Sequence, residues 1–120
     1  MAKYVSVKGW IECEYIQVEA IKKIISDYEL RNKVGTIIDG ESVYFYNKGW
    51  CYSKEIINWT AYMFYGADVK EYCLDLLKNE IKEIVNEIKE IEGMFVFKYE
   101  EGNEIYWKIF DSQIIEKFID

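Results

Sequence analysis

The chain opens on alternation. Over residues 3–13 Val5, Val7, Ile11 and Cys13 share one parity and Ser6, Lys8 and Glu12 the other, the two-residue period of a half-buried strand. The period then lengthens. From 15 to 30 Val18, Ile21, Ile25 and Tyr28 recur three and four apart, which sets them on one helical stripe. Asn32 and Gly35 in RNKVG accept the left-handed backbone of a C-terminal cap and end that helix. In TII-DGES-VYFY, Asp39-Gly40 falls between two β-rich runs and predicts a hairpin. NKGW at 47–50 is a second break.

From Ile56 to Tyr65 both parities are apolar, the pattern of an interior strand covered on both sides. Trp59, Tyr62, Met63 and Phe64 are then core residues. Gly66 stops the strand, and Asp68 with Glu71 three residues on reads as a helix N-cap of the D-x-x-E type. Behind that cap runs the stripe Val69, Tyr72, Cys73, Leu76, Leu77, Ile81, Ile84, Ile88 and Ile91. It predicts a helix of about 24 residues, roughly 36 Å long, closed by Gly93. MFVFKYE-EGN-EIYWKIF forms a last hairpin around Gly102-Asn103, and DSQIIEKFID is a turn with a short tail, strand or helical turn. The stripe is heptad-like in part and fits either its own sheet or a homodimer seam.

The expected order is β-α-β-β-β-α-β-β over one domain, residues 1–120. This is α+β: a mostly antiparallel sheet with both helices on one face, a ferredoxin-like or related two-layer sandwich. Such a sheet leaves its other face open.

Composition narrows the chemistry. The balance is 15 basic against 22 acidic residues, net −7, with no histidine and no proline. An anionic surface disfavours nucleic acid and anionic membrane as partners and favours a basic protein, or solubility alone. Lacking histidine, the chain has neither the commonest general base nor the usual zinc ligand set. Cys13, Cys51 and Cys73 contain no C-x-x-C and read as reduced small hydrophobes. GADVKE is a helix start with one glycine, not a phosphate loop. The carboxylate clusters read as solvated faces. No enzyme, metal or cofactor is expected. No apolar h-region opens the chain and no run approaches a membrane span, so the expected location is cytoplasmic, as monomer or homodimer.

Aromatic residues crowd 44–65, which raises the question of a base-stacking platform. That reading needs flanking positive charge and a K/R-G-F/Y motif, and the chain has neither. Trp50 and Tyr52 are the candidates for partner binding. They sit beside a turn, outside any clear stripe, near Asp39, Glu41 and Glu55; exposed aromatics ringed by charge are typical interface anchors. The alternative is that they fold back on the sheet. A different function class is a small-molecule or regulatory module, with the open sheet face holding an apolar ligand among Tyr44, Tyr46 and neighbours.

VKGWIEC leading into the first helix, INWTAYMFYGADVKEYC leading into the long helix, and the closing YWKIFDSQI resemble small bacterial immunity proteins. These neutralise the toxin domains of polymorphic or contact-dependent growth inhibition systems. The resemblance is one of overall plan across most of the chain. It implies a non-enzymatic inhibitor whose acidic surface plugs the basic active surface of a toxin such as a nuclease domain. On that reading Trp50 and Tyr52 are anchors, and Asp39, Glu41 and Glu55 mimic phosphate.

Overall fold

A computed structural model of the chain describes residues 3–35, 37–55 and 57–119, with the side chains of 33–40 outside the description. Its elements are β1 (Tyr4–Glu14), α1 (Tyr15–Gly35), α2 (Ile37–Tyr46), β2 (Trp50–Tyr52), β3 (Thr60–Lys70), α3 (Leu74–Glu87), β4 (Glu92–Tyr99), β5 (Glu104–Phe110) and β6 (Gln113–Ile119). The architecture is α+β, three helices with one open antiparallel sheet of six strands ordered β2-β3-β1-β4-β5-β6.

The alternation of β1 decides the layering. Val5, Val7, Ile11 and Cys13 are buried on one face, together with Ala61, Met63, Tyr65 and Val69 of β3, Phe95 and Phe97 of β4, and Ile105, Trp107 and Ile109 of β5. Val18, Ile21 and Ile24 of α1 and Leu77, Ile81 and Ile84 of α3 close over them, so the helices lie on a single face. The first helix starts where the expectation put it. Gln17 Oε1 accepts the Glu14 backbone N–H at 2.9 Å, the reach-back half of a capping box. The β4–β5 hairpin around Gly102-Asn103 also forms. The tail is a strand, turned back by Asp111 and Ser112, both at positive φ, as a two-residue hairpin loop requires.

Three expected element boundaries fail, and so does the expectation that β3 is covered on both sides, since Trp59, Tyr62 and Phe64 are exposed rather than core. Residues 37–46 form α2 rather than a hairpin. The Asp39-Gly40 signal is local, and it loses to the docking of this segment on its neighbours: Val43 is buried, the Tyr65 hydroxyl donates to the Tyr46 carbonyl at 2.7 Å, and the Lys70 backbone N–H donates to the Tyr46 hydroxyl at 3.0 Å. The order therefore begins β-α-α. Second, β3 starts at Thr60 and runs through Gly66 to Lys70, because β1 offers a partner along its whole length, from Glu14↔Thr60 to Tyr4↔Lys70. Asp68 is thus an exposed strand residue opposite Ser6, not a cap. Third, α3 is 14 residues long and begins at Leu74, with no side-chain cap. It ends before Ile88, which is extended, and Glu90 takes a positive φ.

Gly93 is not a helix terminator. It sits inside β4 opposite Ile11, where a Cβ would run into the Trp10 carbonyl oxygen. Gly9 on β1 makes the reciprocal allowance, giving its side-chain space to the Phe95 ring. Gly9 thus makes room for the Phe95 ring, and Gly93 lets the β1 backbone approach closely.

Candidate protein-binding face

The sheet face away from the helices is uncovered among the described residues, and its register assembles an aromatic row. Phe64 of β3 stands opposite Trp10 of β1, Trp10 opposite Met94 of β4, Met94 opposite Lys108 of β5, and Lys108 opposite Ile115 of β6. Cys51 of β2 extends the row beyond Phe64. Trp10, Phe64 and Ile115 are exposed. In the next row Tyr62 faces Glu12, which faces Glu92. The Tyr62 ring stacks on Phe64, with centroids 6.0 Å apart, and its hydroxyl donates to Glu12 Oε1 at 2.8 Å. That bond to a carboxylate holds the phenol proton above its ordinary range.

Beyond this row lies the turn before β3. Asn58 there has φ 59°, and the Trp59 carbonyl accepts the Tyr15 backbone N–H at 3.2 Å, pinning the turn to the start of α1. The Trp59 ring is 77% exposed, and Ile57 beside it 72%. A groove of about 280 Å³ opens at their side, lined by Ser53, Glu55, Trp59, Thr60 and Tyr62 among others. Glu12, Glu14, Glu55 and Glu92 are the carboxylates of this end. Glu12 and Glu92 face each other directly across β1–β4, an arrangement that costs stability in the free chain and that an approaching cation relieves. Lys8, Lys108 and Lys117 hold the middle of the face and Lys98 pairs with Glu104 farther on, so the acidic character belongs to the Trp59 end.

The expected anchors lie elsewhere. Trp50 and Tyr52 belong to β2 and point to the helix side, opposite Tyr65 and Met63. The Trp50 ring packs edge-on against Tyr65 and Phe95, and its indole N–H donates to Glu80 Oε1 at 3.0 Å. Folding back on the sheet is therefore the reading that holds for Trp50. Tyr52 is at the rim with Lys22 Nζ 3.9 Å above its ring, beside a groove of about 270 Å³ that it shares with Glu29, Asn47 and Trp50. Glu41 is exposed on α2. The Asp39 side chain lies outside the described residues. Of the four whose side chains are described, Glu55 alone lies at the Trp59 groove. Tyr44 and Tyr46, named for a ligand on the open face, sit on α2 across the sheet from it.

Trp59 and Trp50 have exchanged the places that their contexts suggest. One signal for the true face is present in the sequence: Trp10 shares the parity of Ser6, Lys8 and Glu12, so a large ring stands among polar residues on the face turned from the core. The apolar second parity of β3, Tyr62 and Phe64, lies directly beside it.

Glu80 of α3 is the other unusual group. It is 1% exposed, and its Oε2 has no hydrogen-bond partner. Burial pushes its carboxyl up from 4.5 to about 7; hydrogen bonds from Trp50 and Asn47 oppose this, and the charges of Glu29 and Glu83 add to it. Among the described residues no group of three or more Cys, Asp or Glu side chains is arranged to hold a metal ion, and no helix is long and apolar enough to cross a membrane. No family model matches the chain, and no curated protein and no solved structure matches it significantly.

Proposed function

We propose that this chain is a non-enzymatic binding domain that grips a basic protein surface with the Trp59 end of its open sheet face. The observation that supports this best is Trp59 itself, a large ring left in solvent beside Tyr62, Phe64 and Trp10 and flanked by Glu12, Glu14, Glu55 and Glu92. Contiguous exposed aromatics on a folded domain are costly unless a partner covers them, and buried Trp and Tyr anchors rimmed by charge carry most of the energy of protein interfaces. The carboxylates speed encounter with a cationic surface.

The biological form of this reading is an immunity protein, acting in the cytoplasm, that occludes the nucleic-acid-holding surface of a cognate toxin domain. Its support is the overall resemblance together with the acidic balance of the chain, net −7. The test is to express the toxin domain encoded next to this gene, with and without this chain, and to titrate the two purified proteins. Growth rescue and a tight complex that weakens at least thirtyfold in Trp59→Ala are expected. A neighbouring toxin domain that this chain neither binds nor neutralises sinks the reading.

A further inference from the structure

We propose that Glu80 is a proton-gated latch: while it keeps its proton the segment from Ser42 to Trp50 closes over it, and when the proton leaves that segment lifts to admit water. The geometry leaves one oxygen of the ion without a partner. Glu80 is the one charged side chain buried among the described residues. One oxygen accepts the Trp50 indole N–H and the other accepts nothing. A neutral carboxyl there lacks one weak bond, whereas an ion lacks solvation, a far larger cost. The space beside it is a cavity of about 10 Å³ bordered by Tyr28, Ser42, Tyr46 and Asn47, at the lower limit for a single water. Hydrating the ion requires a wall to move.

The walls differ in strength. The helices α1 and α3 are anchored by Ile21, Ile81 and Ile84, all fully buried. Between Ser42 and Trp50 only Val43 is buried. Apart from the partly buried Tyr46 and Trp50 rings, which rest on the core, that segment is held by polar contacts: the two bonds to Tyr46, Asn47 Nδ2 donating to Glu29 Oε1 at 3.3 Å, and the Trp50–Glu80 bond.

Among the described residues no cation is placed to neutralise the ion instead. The titratable groups around Glu80 are Tyr28 and Glu29 from α1, Tyr46 from α2, Tyr65 from β3, Cys73 before α3 and Glu83 from α3. The nearby cations are engaged elsewhere: Arg31 with Glu83, Lys48 over the Tyr44 and Phe45 rings, and Lys22 over Tyr52. The chain has no histidine, so a side-chain transition near neutral pH belongs to this carboxyl. The latched segment runs through β2 into the turn that carries Glu55 and Trp59, so its opening withdraws support from the binding end. That consequence rests on the proposed function; the latch is tested on the free chain.

The experiment is amide hydrogen exchange of Val43–Trp50 at pH 5.5 and 8.0, normalised to unstructured-chain rates, in wild type and Glu80→Gln. In parallel, the Glu80 side-chain carboxyl is titrated by carbon-13 NMR in the wild type. Protection should fall at least tenfold in the wild type and less than twofold in Glu80→Gln, with the carboxyl midpoint near 7. A midpoint in the ordinary carboxylate range overturns the latch, and so does a protection loss that persists in Glu80→Gln. If Glu80→Gln fails to fold, the wild-type midpoint decides.

Discussion

Replacing Glu80 by glutamine should make the protein more stable at alkaline pH and remove a pH dependence that the wild type shows. The folded carboxyl titrates at about 7, whereas the unfolded chain holds it at 4.5. Between these values the folded state keeps a proton that the unfolded state has lost, so stability falls as pH rises through this window and levels off above it. The full difference is ~3 kcal/mol at about 1.4 kcal/mol per pH unit. About 2 kcal/mol of it falls between pH 5.5 and 8, where ordinary carboxylates are already ionised. Urea unfolding of both proteins across that range isolates the effect, because the amino terminus and the general charge of the chain are common to both. The wild type should lose about 2 kcal/mol relative to Glu80→Gln across that range, the remaining ~1 kcal/mol having been lost below about pH 5.5. Parallel curves, separated by a constant amount at every pH, would refute the reasoning.

The remaining predictions concern packing. Gly93→Ala places a methyl group against the Trp10 carbonyl oxygen in the centre of the sheet, a backbone contact that no rotamer relieves. It should cost about 3 kcal/mol, read by denaturant midpoint. Trp107, buried against Phe97 with its indole N–H on Glu116, should cost ~3–5 kcal/mol when cut to alanine, while Trp59→Ala should stay within about 0.5 kcal/mol of wild type. Similar losses for the two tryptophans would show that Trp59 holds the fold.

The parts of this fold that are legible in the sequence have their period and their partner in agreement. The β1 alternation, the Val18–Tyr28 stripe and the hairpin at Gly102-Asn103 are local patterns that tertiary packing leaves in place. The misread parts are those where a local signal meets a stronger distant one. Asp39-Gly40 favours a turn, yet Tyr46 is tied to Tyr65 and Lys70, far along the chain. Gly66 would end an isolated strand, but eleven paired residues of β1 carry β3 past it. The isoleucine stripe continues beyond Glu87 with helical spacing, and Ile91 is indeed buried, though from the extended segment that enters β4.

The candidate site was hidden by the same ambiguity. An apolar run on both parities does not say whether its second face meets a helix or solvent, and three helices on one side leave Tyr62 and Phe64 outside. Nor does sequence distance reveal that Trp50 reaches Glu80 across thirty residues. The polar-parity tryptophan of β1, Trp10, is the residue whose pattern and position both pointed outward.

Hydroxyl-radical footprinting of the complex with the cognate basic protein tests the central claim most directly. Oxidation of Trp59, Tyr62 and Trp10 should fall on binding, while Tyr44 and Phe45 on α2 stay as reactive as in the free chain. Protection of Tyr44 and Phe45 with Trp59 still fully reactive would place the partner on the helix side and contradict the account.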